Sequence, residues 1–136
     1  MKNNYFFYIS IFFFLIFKNS LSLADELKIN SSKINVDKKT KIVSLEGNVS
    51  AIDSRNNKIY SESAIYNKNE ELIETIGITK IITSEGYEVI GSDIFFDNKN
   101  RFILSNKSTE IIDKDGNQIL VEMFKYFIDK NIFFSK

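Results

Sequence analysis

A repeat of 30 residues is the feature that most constrains the fold of this chain. Shifting the sequence against itself by 30 positions aligns apolar residues from residue 28 to the end, without an insertion. The aligned columns are Ile29/Ile59/Val89/Ile119, Val36/Tyr66/Phe96/Tyr126, Val43/Ile73/Ile103/Phe133 and Ala51/Ile81/Ile111, with Gly47 and Gly77 in a fifth. Similarity at a fixed period indicates supersecondary units that stack on their neighbours. The sequence therefore predicts three full units (28–57, 58–87 and 88–117) and part of a fourth.

Each unit has the pattern of two strands. Residues 43–51 alternate strictly between apolar or small residues and polar ones, which is the period of a half-buried strand. In the other strand of each unit the apolar positions change from odd to even numbers, at 59/61 to 64/66, 89/91 to 94/96 and 119/121 to 124/126. A change of this kind inside a strand requires a bulge or a bend. We therefore expect each of these strands to be interrupted.

Turn residues separate the strands and complete the prediction of an all-β fold. Clusters of Asn, Asp and Gly, which favour tight turns, recur between the apolar stretches. Eight antiparallel strands are predicted near 28–36, 42–52, 58–66, 72–83, 88–97, 102–113, 118–128 and from 132 on. The last stretch, IFFSK at 132–136, matches only the first half of the 102–113 strand. We interpret it either as a piece of a longer repeat array or as an apolar edge meant for pairing.

Composition excludes several classes of site. The 136 residues contain no Cys and no His, which argues against a disulfide framework, a thiol nucleophile and a zinc site. Basic and acidic residues balance at 18 each, whereas nucleic-acid-binding domains show a basic excess. We therefore expect no nucleic-acid partner, no metal and no cofactor. No nucleophile–base pair and no phosphate-binding loop is recognisable, so the sequence argues against an enzyme.

The first 24 residues have the layout of a cleaved secretory signal. Lys2 precedes a 13-residue apolar run at 5–17, and Ser22-Leu23-Ala24 supplies small residues before Asp25. The alternative is a retained membrane anchor, but 13 residues span only about 20 Å as a helix, less than the roughly 30 Å hydrocarbon core. We predict cleavage after Ala24 and one β domain over 25–136.

The strand pairs resemble those of the OstA-like family of the lipopolysaccharide transport system. The resemblance rests on "IVSLEGNVSAID" (42–53), "KIYSESAIYN" (58–67), "GYEVIGSDIFFD" (86–97) and "DKDGNQILVEMFKY" (113–126), and it covers residues 28–136. The family includes the periplasmic bridge protein LptA and the N-terminal periplasmic domain of the outer-membrane protein LptD. The resemblance implies a twisted, open antiparallel β-jellyroll in the periplasm. It further implies that such domains stack edge to edge and pass the acyl chains of lipid A along an apolar interior, without catalytic residues.

The apolar columns supply the candidate lipid-binding residues. These residues are Val49, Ala51, Ile59, Tyr66, Ile73, Ile81, Val89, Phe96, Ile103, Ile111, Ile119, Phe124 and Tyr126. Two interpretations remain open for them: a groove for acyl chains, or the filled core of a structural repeat with no lipid ligand. A division is also expected, with a core in the middle and a groove near the open ends.

Three smaller sets carry weaker hypotheses. The rings of Tyr66, Phe96 and Tyr126 are expected to stack as a ladder between strands. Glu62, Asp93 and Glu122 could suggest a metal or glycosidase pair, but they fall at the expected bulge on the solvent-facing side of the strand, which favours a solvated face. Lysines at 33, 38, 39 and 41 could meet lipid phosphates, but a solvated turn is the preferred interpretation.

Overall fold

The computed structural model describes residues 27–135, so the predicted signal and its cleavage site lie outside the described residues. Twelve strands and one short 3₁₀ helix make up this part of the chain. The strands are β1 (Lys28–Asn30), β2 (Lys33–Asp37), β3 (Ile42–Ile52), β4 (Lys58–Asn67), β5 (Leu72–Ile82), β6 (Glu88–Ser92), β7 (Phe95–Asp97), β8 (Phe102–Ser105), β9 (Thr109–Ile112), β10 (Gln118–Val121), β11 (Phe124–Phe127) and β12 (Ile132–Ser135). The 3₁₀ helix is Ile128–Lys130. No helix within residues 27–135 is long and apolar enough to cross a membrane.

The eight predicted strand regions are confirmed, but four of them are divided in two. The strand is interrupted within 28–36, 88–97, 102–113 and 118–128, where the sequence predicted single strands. The expected interruptions are present. The β4–β5 register shifts between Ser61 and Ser63, and the two later strands break at the equivalent place into β6/β7 and β10/β11.

One antiparallel sheet divides into two half-sheets at these interruptions. The first half-sheet runs β1, the end of β3, the start of β4, the end of β5, β6, β9 and β10. The second runs β2, the start of β3, the end of β4, the start of β5, β7, β8, β11 and β12. Strands β3, β4 and β5 bend and belong to both. The sheet is therefore open, with β1 and β2 at one edge and β10 and β12 at the other.

The repeat is also visible in the backbone. Left-handed residues recur every 30 positions at Lys41, Glu71, Arg101 and Asn131, where the chain turns at the end of the second half-sheet. A second series, Asn56, Gly86 and Gly116, marks the turns of the first half-sheet. The turns begin with matching hydrogen bonds: Asn56 N–H donates to the Asp53 carbonyl, Gly86 to Thr83 and Gly116 to Asp113, each at 3.0 Å. Each repeat is therefore one strand pair with one turn of each kind.

Two inward rows of apolar side chains cross the strands and form the core. The first row, on the first half-sheet, is Ile29, Ala51, Ile59, Ile81, Val89, Ile111 and Ile119. The second row, on the second half-sheet, is Val36, Val43, Tyr66, Ile73, Phe96, Ile103, Tyr126 and Phe133. Burying each large side chain contributes roughly 1.5–3 kcal/mol, so these rows dominate the stability of the fold.

The predicted ring ladder is wrong. Ile73 pairs with both Tyr66 and Phe96, and Ile103 pairs with both Phe96 and Tyr126. Because each repeat contains two strands, residues 30 positions apart lie two strands apart, or about 9.5 Å. An isoleucine therefore separates the rings at each step.

Candidate functional site

The interior between the two rows is buried in the middle and reaches the surface at both ends. Eleven of the predicted groove residues are buried: Val49, Ala51, Ile59, Ile73, Ile81, Val89, Phe96, Ile103, Ile111, Phe124 and Tyr126. Tyr66 is half-buried against this core, and Ile119, on edge strand β10, is 60% exposed. The side chains between the ends pack as a core, and an apolar pocket lies at each end of the rows.

The C-terminal mouth is an apolar pocket of about 310 Å³ at the β10 and β12 edge. Its lining comes from both half-sheets: Tyr87, Ile111, Asp113, Asn117, Ile119, Val121, Phe124, Phe133 and Ser135. Aromatic contacts shape its floor, because Phe133 stacks on Tyr126 with ring centres 4.1 Å apart and meets Tyr87 edge-on at 5.1 Å. The charged or polar lining residues are Asp113 and Asn117 in the turn after β9 and Ser135 in β12, so the mouth offers apolar surface with a polar rim.

The N-terminal mouth is a second apolar pocket, of about 230 Å³, at the β1 and β2 edge. It is lined by Leu27, Ile29, Ile34, Val36, Val43, Leu45, Tyr66 and Lys68. Burial raises the pKa of Tyr66, with the charge of Glu71 as a second cause, so its phenol stays neutral. Both mouths thus join residues of the first and second rows, which shows that the half-sheets face each other.

Sequence reasoning missed several residues of both mouths. Ile29, Val36, Val43 and Phe133 stand in the same 30-residue columns as the predicted groove residues, and that signal could have found them. Tyr87 carries no such signal, since it lies in a turn region and reaches the second half-sheet only through the three-dimensional fold.

A network of charged side chains connects the turns of the two half-sheets across their open side. Arg101 Nη1 donates to Asp53 Oδ2 at 2.9 Å, and both side chains are almost fully buried. Arg101 Nε donates to Asp129 at 3.3 Å, and Asp129 also pairs with the more exposed Arg55. Burial lowers the pKa of Arg101, but the hydrogen bonds and charges of Asp53 and Asp129 outweigh it and raise the pKa overall. This charge network, defined by Asp53, Arg55, Arg101 and Asp129, ties the turn after β3 to the turn after β7 and to the 3₁₀ helix after β11.

The acidic residues suggested by the repeat do not gather into a site. Within residues 27–135, no cluster of three or more potential ligands could hold a metal ion. Asp93 has a structural role instead. Its Oδ1 accepts from Gly77 N–H at 2.9 Å, and Oδ2 pairs with Lys107. The hydrogen bond from Lys107 and then that from Gly77 lower the pKa of Asp93.

Of the four lysines that the sequence suggested for lipid phosphates, one forms an ion pair with a carboxylate in the described part of the chain. Lys33 pairs with Glu46 at 2.8 Å. Lys38, Lys39 and Lys41 form no ion pair within residues 27–135, and Lys68 N–H donates to the Lys41 carbonyl at 3.1 Å. The backbone of Lys41 therefore lies next to that of Lys68, which lines the N-terminal mouth.

A solved structure with the same architecture is the crystal structure of LptH, described as the LptA-homologous periplasmic component of the lipopolysaccharide transport device of Pseudomonas aeruginosa. The TM-score is 0.73, and the match covers 82% of each chain. The chain has the OstA-like β-jellyroll fold. Because the two sequences are only 14% identical, the similarity to LptH establishes the fold and nothing further. No family model matches the chain, and the search of curated proteins also gives no match.

Proposed function

We propose that this chain is a periplasmic module that binds lipopolysaccharide and passes the acyl chains of lipid A along its interior towards the outer membrane. The observation that carries the proposal is the pair of apolar mouths at opposite edges of an OstA-like sheet, joined by two continuous inward rows. LptH, a solved structure with this architecture, is described as a component of a lipopolysaccharide transport device, which supports the same role here.

The proposed binding needs no chemistry beyond burial. Acyl chains that enter either mouth lose contact with water, at about 25 cal/mol per Å² of apolar area. The 310 Å³ of the C-terminal mouth is at the lower end of small-molecule pockets, enough for part of one amphiphile. The proposal therefore treats the protein as a carrier and not as an enzyme.

Edge-to-edge assembly with like domains is the second part of the proposal. The main chains of β1 and β2 end the sheet on one side, and those of β10 and β12 end it on the other. Strand addition joins such edges through main-chain hydrogen bonds. Joining the two different edges would place one module's C-terminal mouth against the next module's N-terminal mouth. A continuous path for acyl chains would result, either in a bridge of LptA type or in the periplasmic part of an LptD-type protein associated with the outer membrane.

A structural repeat without a lipid ligand is the alternative function. The observation in its favour is the filled middle of the interior, where Ile73, Ile81, Val89 and Ile103 have no exposed surface. In a scaffold of this kind the mouths would be the unfilled ends of a stacked array, and no acyl chain would enter.

Photo-crosslinking on one strand separates the two functions. Ile119 and Leu120 are neighbours on β10, exposed to 60% and 74%, but only Ile119 lines the C-terminal mouth. A photoreactive residue at Ile119 is expected to form adducts with lipopolysaccharide, and the same residue at Leu120 is not. A folded protein without adducts at Ile119 would leave the structural repeat as the better account. Equal adducts at both positions would indicate non-specific contact and would also count against the proposal.

A further inference from the structure

The outer face of the second half-sheet carries an aromatic patch near its C-terminal edge. Phe102, Phe127 and Phe134 point away from the interior, because their neighbours Ile103, Tyr126 and Phe133 occupy the second inward row. The rings of Phe102 and Phe127 lie 6.3 Å apart, and those of Phe127 and Phe134 lie 5.9 Å apart. Phe134 is 58% exposed. This outer patch is separate from both mouths.

The repeat shows that the fold does not require a ring at the positions of Phe127 and Phe134, whereas the Phe102 column is apolar in every repeat. The positions equivalent to Phe127 in the three earlier repeats are Asp37, Asn67 and Asp97, and each accepts hydrogen bonds from the backbone of its own turn. Phe127 precedes the 3₁₀ helix without any side-chain cap. In the column of Phe134, the first two repeats have the exposed Ser44 and Glu74, and the third has Leu104. At the Phe127 position the last repeat thus replaces a turn-capping residue by a ring, and at the Phe134 position it is the first to have one.

Two lysines give the outer patch a positive charge. Lys125 Nζ lies 4.0 Å from the centre of the Phe102 ring and 4.8 Å from that of Phe127. Lys130 Nζ lies 5.6 Å from the Phe127 ring. Neither ammonium group forms an ion pair within residues 27–135, and the nearby Asp129 is occupied by Arg55 and Arg101. Cations held over exposed rings complement an anionic, apolar partner.

Edge-to-edge assembly would leave the patch uncovered. Strand addition at β12 extends the sheet in its own plane, whereas the outer patch points perpendicular to that plane. A covering partner must therefore lie flat on the sheet. A bilayer surface meets this requirement without any shape complementarity, because rings enter the interface and lysines reach the phosphates.

We infer that the outer patch docks the module on an anionic lipid membrane, with Phe102, Phe127 and Phe134 in the interface and Lys125 and Lys130 on lipid phosphates. This docking is independent of cargo in the interior. It would hold the sheet parallel to a membrane surface at its C-terminal edge, while the edge strands remain free to pair.

A single tryptophan reports on the patch directly, since the chain contains no Trp. Phe134→Trp places the reporter in the patch, and Ile78→Trp places one on the outer face of the first half-sheet, where Ile78 is 79% exposed. Each exported protein is mixed with vesicles of equal parts phosphatidylglycerol and phosphatidylcholine, or of phosphatidylcholine alone. We expect a blue shift and protection from acrylamide only for Phe134→Trp and only with the anionic vesicles.

The lysines supply the second readout. In the Phe134→Trp background, Lys125→Gln and Lys130→Gln are each expected to weaken vesicle binding about fivefold, the equivalent of roughly 1 kcal/mol per charge near an anionic surface. Unchanged emission of Phe134→Trp with anionic vesicles would overturn the inference. An equal shift for Ile78→Trp, an equal response to both vesicles, or an emission already blue-shifted without vesicles would overturn it too. None of these outcomes depends on lipopolysaccharide, so the proposed transport function stands or falls separately.

Discussion

Two arginines of the charge network differ in burial, and that difference predicts different contributions to stability. Arg101→Met leaves the buried Asp53 carboxylate without its cation, and losing one partner of a buried pair costs about 3 kcal/mol. Arg55→Met removes only the exposed pair with Asp129, where a loss of about 1 kcal/mol or less is expected. Urea unfolding of the two variants measures both losses. Equal losses would contradict the assignment of Arg101 and Asp53 as the buried centre of the network.

Tyr126 predicts how stability changes at high pH. Burial, and then the charges of Glu85 and Tyr87, raise the pKa of Tyr126 from 10.0 to about 12. The folded state binds this proton more tightly than the unfolded state, so the stabilisation is complete below pH 10 and is lost as the pH rises towards about 12. Tyr126→Phe is expected to lose less stability over this range, although Tyr66 still titrates. Unfolding free energies measured at several alkaline pH values test this, and parallel curves for the two proteins would contradict it.

The bends of β3 and β5 are the elements that divide the sheet. Gly47 and Gly77 both have positive φ angles, of 75° and 83°, which L-residues rarely adopt. A Cβ on Gly77 would meet nothing within 4 Å, so Gly77→Ala is expected to cost about 1 kcal/mol from backbone strain alone. A Cβ on Gly47 would lie 3.1 Å from Ser32, so Gly47→Ala is expected to cost more. Thermal or chemical unfolding ranks the two, and the reverse order would contradict this explanation of the bends.

Strand positions followed from the sequence because alternation and turn residues are local signals. The division of the 102–113 strand did not follow from the sequence. Across the interruption the Thr109 hydroxyl donates a hydrogen bond to the Ser105 hydroxyl at 2.9 Å, and the alternation of apolar and polar residues cannot show such a contact. The ring ladder was wrong for a related reason. A period of 30 gives the spacing along the chain, but only the strand register gives the neighbours in space.

At the scale of the whole molecule, the two edges that are unpaired within residues 27–135 predict head-to-tail association. An edge lysine discourages strand pairing, so Ile132→Lys on β12 is expected to reduce concentration-dependent growth in light scattering. Ile78→Lys introduces the same exposed charge within β5, away from the edges, and is expected to leave association unchanged. Association should give open rods because a head-to-tail contact does not close. A monomer at all concentrations, or equal effects of both substitutions, would contradict the predicted edge contact.

The candidate site could be predicted from the sequence only as a set of inward residues. The apolar columns identified both inward rows, because burial imposes the same residue type in each repeat. They could not distinguish core from mouth. Ile81 and Ile119 belong to the same inward row, yet one is fully buried and the other exposed, because only Ile119 lies on an edge strand. Exposure here depends on where the sheet ends, which no single repeat unit encodes.

Passage of cargo from one edge to the other is the central claim, and crosslinking at both mouths of one protein tests it most directly. Val36 lines the N-terminal mouth and Ile119 the C-terminal mouth, while their strand neighbours Asn35 and Leu120 are exposed on the outer face. A photoreactive residue is placed at each of the four positions in turn and exposed to lipopolysaccharide. We predict adducts at Val36 and Ile119 and none at Asn35 and Leu120. Adducts at one mouth only, with the protein folded in every variant, would show a single binding pocket and contradict passage through the interior.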